Sequence, residues 1–359
     1  MTFPIEPPVE PMLAQLAEHL PQEGEFLFEP KWDGFRAIVF RSDDDVYIQS
    51  RDLKPLDRYF PELHASLLER LPPGWIVDGE IVIVTPRGLD FDALQLRLHP
   101  AASRIAKLAG SSPSSFVAFD VLAVDGSNVM AAPQSERRAM LETRLLRAEP
   151  PLYLTPVTRQ HTLAAEWLQQ FEGAGLDGVV VKPADSPYLP GKRAMIKVKH
   201  VRTADCAVAG FRWYKETRDA VGSLLLGLYD NVGVLHHVGI TSAFTMAVRR
   251  SLAQELEPLR KHAMDEHPWR EWTKEEAHAT TRMPGGQSRW SAGKDLSWEA
   301  LRIERVCEVK YDHLQGDRFR HATHFVRWRP DKPPEACRYD QLEVTTPYAL
   351  KKVFGAAGR

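Results

Sequence analysis

The chain has 359 residues, of which 43% are hydrophobic and 26% are charged, and its formal net charge is −2. This length suits about two globular domains. The net charge argues against a protein that coats nucleic acid through bulk positive charge. Its three cysteines are too few for a disulfide framework or a four-cysteine zinc site, which favours a reducing cytoplasm. The N-terminus lacks the pattern of a secretory signal, and nowhere do about 20 apolar residues follow one another, so we expect no membrane span.

The first 200 residues predict strands mixed with helices. Apolar residues that alternate or cluster between turn signals predict strands, and apolar residues at helical spacing predict helices. In chain order, the predicted elements are short strands within 26–50, a helix at 57–71, strands at 75–84 and 116–124, helices at 134–147 and 161–172, and strands at 176–182 and 194–200.

After residue 200 the pattern changes to that of a small barrel, with many strand-like runs and one helix. The predicted elements are strands at 205–214, 221–229 and 233–241, a helix at 244–262, and strands at 304–314 and 318–329. The stretch 267–298 is rich in Pro, Gly and Trp and has weak periodicity, so it predicts long loops on the barrel. We therefore place a domain boundary just after His200.

The string EPKWDGFR at residues 29–36 contains a candidate nucleophile, Lys31. A lysine amine is almost fully protonated at neutral pH, because its reference pKa is about 10.4. Neighbouring cations or burial lower that pKa and make the amine useful in covalent catalysis. Gly34 lets the backbone approach a ligand closely. Taken alone, Lys31 fits a surface lysine beside a hairpin turn better than it fits a catalyst.

Two acids, Asp78 and Glu80, lie two positions apart in the apolar string IVDGEIVI. Residues two apart on a strand share a face. Two carboxylates on an otherwise buried strand are costly unless they meet cations or hydrogen-bond donors, and one hard divalent ion with a sugar hydroxyl would satisfy both. An acidic patch at a strand end is an equally good interpretation.

Two lysines, Lys197 and Lys199, repeat this spacing in the string MIKVKH. Paired ammonium groups repel one another unless an anion lies between or over them, so a phosphate is the natural occupant. These lysines would also help to keep Lys31 neutral. For the isolated string, a solvated basic edge strand is the plainer interpretation.

Three further strings carry weaker patterns. In DGVVVK, Asp177 could ligate a second metal and Lys182 could reach a phosphate, although Asp-Gly is also ordinary turn chemistry. Phe119 in FVAFD is either a core residue or a stacking platform for a purine. Arg329 and Lys332 in RPDK could clamp a polyphosphate or belong to an exposed charged loop. No GxxxxGK[ST] string occurs, which argues against a P-loop nucleotide site.

The order of these strings resembles the nucleotidyltransferase motifs of the ATP-dependent DNA ligases. The match runs from residue 29 to residue 332, and the motifs are jointly highly specific. The stretches EPKWDGFR, RYFPEL, EGAGLDGV and RTADC resemble the short bacterial ligases called type C. The matching strings are EPKWDGFR, SRD at 50–52, VDGE at 77–80, FVAFD at 116–120, DGVVVK at 177–182, IKVKH at 196–200 and RPDK at 329–332.

The resemblance implies a role for each motif residue. Lys31 would take AMP in a covalent bond, with Mg²⁺ or Mn²⁺ assisting. One departure concerns Asp177, because the fourth motif of the family usually begins with Glu. The other implied assignments are nucleotide contacts at Glu29, Arg36, Arg51 and Glu80; adenine stacking at Phe119; phosphate contacts at Lys182, Lys197 and Lys199; metal ligation at Asp78, Glu80 and Asp177; pyrophosphate orientation at Arg329, Asp331 and Lys332; and DNA contacts at Arg51, Lys192, Arg193, Arg289 and Lys294.

The resemblance also implies an α+β fold, in which an antiparallel-sheet, ATP-grasp-like nucleotidyltransferase domain at 1–200 precedes an OB-fold β-barrel at 201–346 and a tail at 347–359. The enzyme would use ATP to seal nicks in duplex DNA through lysyl-AMP and DNA-adenylate, with a large domain rotation between steps. We expect a monomer that works in DNA repair at the nucleoid, with a primase-polymerase or another repair protein as its candidate partner.

Two other functions stay open at this point. An mRNA capping guanylyltransferase or an RNA ligase also uses a KxDG lysine, and nucleotide choice discriminates, because capping enzymes prefer GTP. A non-catalytic nucleic-acid-binding module with the same fold is the rival from another class. The joint presence of Lys31, Glu80, Lys197 and Lys199 weighs against such a module, because a decayed site would have lost at least one of them.

Overall fold

The computed structural model describes residues 3–86, 88–199, 202–215, 218–270, 297–312, 314–342 and 348–355. The chain forms two compact units, one of residues 1–200 with 345–359 and one of residues 201–344. The segment expected to be a separate tail therefore groups with the first unit. Across the described ranges, no helix is both long enough and apolar enough to cross a membrane.

Strands and helices alternate along the first unit. Its strands are β1 (Leu13–Ala17), β2 (Phe26–Pro30), β3 (Phe35–Arg41), β4 (Val46–Ser50), β5 (Ile76–Val82), β6 (Val84–Thr85), β7 (Gly88–Leu89), β8 (Ser115–Val124), β9 (Ser127–Asn128), β10 (Leu152–Leu154), β11 (Val179–Pro183) and β12 (Arg193–Val198). Its helices up to residue 200 are α1 (Pro61–Arg70), α2 (Phe91–Leu96), α3 (Ala102–Ser111), α4 (Gln134–Leu145) and α5 (His161–Gln170), with 3₁₀ turns at Asp57–Tyr59 and Phe171–Ala174.

These strands form two main sheets. The larger sheet has six strands in the order β10-β8-β5-β3-β4, with β9 beside β8, and the smaller sheet has four strands in the order β1-β12-β11-β2. The pairs β1–β12 and β10–β8 are parallel, and the other pairs within these sheets are antiparallel. The predicted antiparallel architecture therefore holds, and the two parallel pairs lie at sheet edges.

The larger sheet is covered by α1, whose apolar residues recur at helical spacing. Leu63 and Leu67 of α1 are fully buried. They share one apolar core with Val77 and Ile81 of β5. Each fully buried leucine contributes roughly 1.5–3 kcal/mol of transfer free energy. This core fixes β5, the strand that carries two of the predicted metal ligands.

The second unit is a curled sheet with one long helix. Its elements are β13 (Arg202–Trp213), β14 (Val221–Tyr229), β15 (Leu235–Thr241), α6 (Met246–Arg260), β16 (Glu299–Ala300), β17 (Val306–Tyr311), β18 (Leu314–Gln315), β19 (Arg318–Phe319) and β20 (His324–Trp328), with 3₁₀ turns at Pro334–Ala336 and Tyr339–Gln341. The main sheet runs β15-β14-β13-β17-β20, with β16 beside β13.

The two edges of this sheet meet at one bridge, so the sheet curls into a half-barrel, which is consistent with an OB-fold. Thr241 at the end of β15 forms a bridge with Thr323, which directly precedes β20. The Thr241 hydroxyl donates to the Thr323 carbonyl at 2.9 Å.

The strand predicted at 318–329 is instead two strands, because β19 pairs with β18 across a turn at Gly316, whereas β20 pairs with β17. Helix α7 (Leu350–Phe354) then belongs to the first unit.

A hydrogen-bonded ion pair ties α1 to α2. Glu62 accepts from Arg97 Nη1 and Nη2 at 2.8 and 2.7 Å, and its Oε1 also accepts from the Ser114 backbone N–H and hydroxyl. Arg97 directly follows α2 and is fully buried. Burial alone would raise the pKa of Glu62, but the hydrogen bonds from Arg97 and Ser114 outweigh it and lower the pKa below its ordinary value.

We expect Glu62→Gln to destabilise the protein by about 3 kcal/mol near neutral pH, because Arg97 stays buried without its counter-charge. Since the folded-state pKa of Glu62 is lowered, its carboxylate stabilises the fold above the unfolded pKa, and that contribution is lost as pH falls through the folded pKa. Urea unfolding near pH 7 and near pH 3 should show a difference from wild type that shrinks in acid. Glu69→Gln, at an exposed position of α1, is the control. An equal difference at both pH values would contradict the ion pair.

Candidate active site

A pocket in the first unit collects side chains that are far apart in sequence. Its predicted site residues are Glu29, Lys31, Arg36, Arg51, Glu80, Phe119, Lys182, Arg193 and Lys197. Its apolar lining includes Pro11, Leu13, Trp32, Val180 and Met195. The pocket is therefore both strongly charged and partly apolar, as a site for a nucleotide must be.

Close backbone contacts hold Lys31 in this pocket. The Lys31 N–H donates to the Gly178 carbonyl at 2.8 Å, and the Asp177 N–H donates to the Lys31 carbonyl at 2.9 Å. At Gly34, a Cβ atom would lie only 2.1 Å from a carbonyl oxygen of β5, so the turn after Lys31 requires glycine. The Gly34 N–H donates to Glu80 Oε1 at 3.1 Å. The Asp-Gly turn thus joins the candidate nucleophile to the acid on β5.

Asp177 lies between two lysines. Its Oδ2 contacts Lys31 Nζ and lies 3.0 Å from Lys199 Nζ. A third lysine, Lys197, lines the pocket, and its pKa is lowered by desolvation and by the positive charges of Lys31 and Lys199. Three ammonium groups around one carboxylate leave an excess of positive charge. An anion such as a phosphate would balance that excess.

Asp78 binds Arg36, whereas the sequence predicts that it binds a metal ion. Its side chain is fully buried, and its Oδ1 accepts from Arg36 Nε at 2.8 Å. Its Oδ2 accepts from Arg36 Nη2 and from the Tyr188 hydroxyl at 2.6 and 2.7 Å. With both oxygens engaged, Asp78 anchors Arg36. This cation lies on the neighbouring strand β3, so the sequence pattern of β5 alone could not identify it.

Asp177 contacts lysines where the sequence predicts a second metal ligand. In the part of the chain that the structure describes, no group of three His, Cys, Asp or Glu side chains could hold a metal ion by itself. Glu80 is a carboxylate of the pocket, and burial raises its pKa to about 7 against the charges of Lys31 and Arg36. Mg²⁺ is commonly held by one or two carboxylates together with substrate phosphates. Glu80 therefore fits a metal ion that arrives with a nucleotide.

Lys182 forms an ion pair with Glu29. Lys182 is only 1% exposed, its Nζ lies 2.8 Å from Glu29 Oε2, and it donates to the Phe119 carbonyl at 2.7 Å. Within the described residues, Glu29 Oε1 has no hydrogen-bond partner, and Arg138 Nη1 is 3.9 Å away. Burial raises the pKa of Glu29 against the charges of Lys182 and Arg138. The site thus holds a buried oxygen with unused capacity to accept a hydrogen bond.

The Phe119 ring has two cations close to it. Arg36 Cζ lies 4.9 Å and Lys182 Nζ lies 5.0 Å from the ring centroid. Such cations interact favourably with the ring and fix its position. The sequence left Phe119 open between a core residue and a stacking platform, and the structure places its side chain at the pocket.

Helix α4 carries two buried arginines that sequence analysis missed. Arg137 binds Asp120 through Nε to Oδ1 at 2.8 Å and Nη2 to Oδ2 at 3.1 Å, and Arg138 approaches Glu29. Both arginines share a helix face with the buried Leu141. In the string QSERRAML, the i, i+3 and i+4 spacing therefore sets charges on the apolar face. That spacing is the signal that could have identified them.

The predicted DNA contacts of the first unit are exposed. Arg51 and Arg193 line the pocket, and Lys192 is exposed beside Arg193. Arg193 Nη1 donates to the Ala14 carbonyl at 3.2 Å, which leaves other donors of its guanidinium for a phosphate. Arg289 and Lys294, the other two predicted DNA contacts, lie outside the described residues.

In the second unit, Asp205 binds Arg329 and Lys332 of the RPDK string. Both Asp205 carboxylate oxygens lie 2.9 Å from Arg329 Nη1, and Oδ2 lies 3.0 Å from Lys332 Nζ. Asp331 accepts from Arg329 Nη2 at 2.8 Å. Sequence analysis did not single out Asp205, although it lies within the RTADC string. One carboxylate on β13 thus holds the two predicted pyrophosphate-binding cations together.

Known proteins are similar in sequence to this chain over nearly its whole length. Residues 11–199 match the family described as ATP dependent DNA ligase domain, and residues 217–332 match the one described as ATP dependent DNA ligase C terminal region. DNA ligase C2 of Mycolicibacterium smegmatis is 52% identical, over 96% of each chain. DNA ligase C of Mycobacterium tuberculosis is 50% identical, over 98% of this chain and 99% of its own.

Solved structures agree with these matches at the level of the fold. The structure of a Lig E DNA ligase covers 88% of this chain and 99% of its own, with a TM-score of 0.54 and 17% identity, which shows the fold alone. The predicted fold class and the resemblance to ligases are confirmed. From the two family matches and the long, highly identical relatives, the chain belongs to the ATP-dependent DNA ligases.

Proposed function

We propose that this DNA ligase seals nicks with a 3′-hydroxyl and a 5′-phosphate in duplex DNA, and that Lys31 is the residue that carries AMP. The observation that carries the proposal is the contact of Lys31 and Lys199 with Asp177, beside a pocket that Lys31 and Lys197 line. The excess of positive charge in this cluster attracts the phosphate that Lys31 attacks.

In the first transfer, the Lys31 amine bonds to the α-phosphorus of ATP while the bond to pyrophosphate breaks, and lysyl-AMP forms. The amine loses a proton in this step, and the Asp177 carboxylate in contact with Nζ is placed to accept it. Lys197 and Lys199 supply positive charge where negative charge develops on the α-phosphate.

The leaving pyrophosphate also needs positive charge. Glu80 and the phosphates of ATP would hold Mg²⁺ or Mn²⁺, which would lower the charge of the leaving group. In this proposal Arg329, Asp331 and Lys332 orient the same pyrophosphate, with Asp331 acting through the Arg329 guanidinium that it binds. Asp205 holds the Arg329 guanidinium and the Lys332 ammonium in a fixed arrangement that suits a polyphosphate.

The two later transfers occur on DNA. AMP moves from Lys31 to the 5′-phosphate of the nick, and the 3′-hydroxyl then displaces AMP as the backbone bond forms. We assign Arg51, Lys192 and Arg193 to DNA phosphates, because they are exposed at the pocket or beside it. Such contacts make DNA affinity depend on salt. We further propose that the enzyme acts as a monomer in DNA repair at the nucleoid, with a primase-polymerase or another repair protein as partner.

Glu29 accounts for the choice of ATP over GTP in this proposal. Its Oε1 is a buried acceptor with no hydrogen-bond partner among the described residues. Adenine presents an exocyclic amine, which donates, where guanine presents a carbonyl oxygen, which accepts. A guanine in this position would leave two acceptors facing each other in a buried site, which is costly.

We expect Glu29→Gln to reduce the preference for ATP over GTP by about tenfold to a hundredfold, because one buried hydrogen bond is worth about 1–3 kcal/mol and a glutamine amide can also donate. The measurement is the rate of covalent labelling by each nucleotide, expressed as a ratio. Glu25→Gln, at an exposed position just before β2, is the control and should keep the wild-type ratio. An unchanged ratio in Glu29→Gln would remove Glu29 from base recognition.

A nick-sealing assay tests the proposed function itself. Duplex DNA with one nick, labelled at the 5′-phosphate, is incubated with the enzyme, Mg²⁺ and either ATP, GTP or NAD⁺. We expect sealing with ATP alone and no sealing of a nick that carries a 5′-hydroxyl. Sealing with GTP in preference to ATP, or sealing restricted to RNA strands, would contradict the proposed function.

A further inference from the structure

The segment 348–355, named here the C-terminal clasp, packs into the apolar core of the first unit. Leu350 is 4% exposed and Val353 is fully buried. Both belong to one apolar cluster of this unit. The Tyr348 N–H donates to the Gly173 carbonyl at 3.0 Å, just after α5. A loosely attached tail would leave its apolar side chains in water, so the clasp is a built part of this unit.

The clasp ends beside the candidate nucleophile. The Phe354 ring stacks on Trp32, the residue after Lys31, with centroids 5.1 Å apart and planes inclined by 19°. Phe354 also stacks on Tyr153, with centroids 4.1 Å apart and planes inclined by 14°. Trp32 is 5% exposed, and its indole N–H donates to Thr155 Oγ1 at 2.8 Å. A hydrogen bond and a stacked ring thus fix the indole.

We propose that the clasp positions Lys31 for attack on the α-phosphate by holding Trp32 through Phe354. This inference rests on the function proposed above. Two backbone hydrogen bonds, to Gly178 and from Asp177, already fix Lys31 itself, and the side chain of Trp32 fixes the chain immediately after it. Attack on phosphorus tolerates little displacement, since a shift of about 1 Å can cost about a hundredfold in rate.

We expect the contact between Phe354 and Trp32 to affect the rate of reaction and not the binding of ATP. Glu29 and Phe119, the residues assigned to the base, are held by Lys182 through an ion pair and a hydrogen bond. Loss of the Phe354 ring should therefore lower the maximal rate of lysyl-AMP formation, while the ATP concentration for half-maximal rate changes little. Sealing of a nick that already carries AMP should also change little, because Lys31 is not the nucleophile in that step.

The test uses the full-length protein with Phe354→Ala, Phe354→Leu and Phe354→Tyr, each stripped of AMP with pyrophosphate. Single-turnover labelling by α-labelled ATP is measured over a range of ATP concentrations, beside sealing of a pre-adenylated nick. For Phe354→Ala we expect a maximal labelling rate about tenfold to a hundredfold below wild type. Phe354→Tyr keeps the ring and should restore the rate. Lys351→Ala, exposed on the same helix, is the matched control.

Phe354→Leu keeps apolar volume without a flat ring, so it replaces the alanine variant if that one does not fold. Equal loss of labelling and of pre-adenylated sealing would show a merely structural role and overturn the proposal. Labelling at the wild-type rate in Phe354→Ala and Phe354→Leu would overturn it as well. Absence of labelling in the wild type would instead contradict the proposed function, so the two failures are distinguishable.

Discussion

Lys31→Ala should abolish covalent labelling of the protein by α-labelled ATP while it leaves sealing of a pre-adenylated nick largely intact. In the first transfer the ε-amine is the nucleophile, and alanine offers no atom that can bond to phosphorus. In the last transfer the 3′-hydroxyl is the nucleophile, and Lys31 contributes charge at most. We expect ATP-dependent sealing to fall by about four orders of magnitude or more, as is common when a nucleophile is removed.

The measurement has two arms. Protein stripped with pyrophosphate is incubated with α-labelled ATP and Mg²⁺ and run on a denaturing gel, and the same preparation is mixed with a nick that already carries AMP. Lys54→Ala, an exposed lysine after β4, is the control and should behave as wild type in both arms. Label retained by Lys31→Ala would assign the AMP to another residue. Parallel loss in both arms would mean that Lys31 maintains the site rather than reacting in it.

Asp177→Asn should slow formation of lysyl-AMP by about a hundredfold or more, the usual contribution of a positioned proton acceptor. Asparagine cannot take the proton that Lys31 loses. It also removes the negative charge between Lys31 and Lys199, whose ammonium groups both contact Asp177 Oδ2. Those two cations would then repel one another, and the Lys31 side chain would turn away from the position from which it attacks.

Asp177→Glu separates the effect of the negative charge from the effect of side-chain length at this position. It introduces the residue with which the fourth motif of the family usually begins, and it keeps the carboxylate. We expect single-turnover labelling at saturating ATP to stay within about tenfold of wild type, because a modest displacement is the only change. Asp185→Asn, an exposed acid just after β11, is the control. Wild-type labelling in Asp177→Asn would exclude Asp177 from the proton transfer.

Elements with strong local periodicity could be predicted closely from the sequence. The strand predicted at 221–229 is β14, Val221–Tyr229, and the helix predicted at 134–147 is α4, Gln134–Leu145. Strand β1, in contrast, was not predicted. Its five residues, LAQLA, are intermediate or exposed, and it exists because it pairs in parallel with the distant β12. A parallel edge strand of this length has no turn or alternation signal of its own.

At the site, the residue types could be predicted, whereas their partners could not. Asp78 and Lys182 were expected to bind metal and phosphate, because each was considered on its own strand. The structure pairs them with Arg36 and Glu29, which lie on other strands. Ion pairs that cross between strands leave no pattern in a local string, so the protein partners of these two charges could not be predicted.

The position of the clasp has a consequence for synthesis of the chain on the ribosome. Trp32 and Tyr153 are made early, but Phe354, which stacks on both, is made only after the whole barrel. Domains generally fold as units as they emerge, so the barrel can fold while the first unit still lacks its last helix. Contacts between residues so far apart are also among the slowest to form. If the clasp positions Lys31 as proposed, the nascent enzyme would reach its full rate of reaction with ATP only after its barrel has been made.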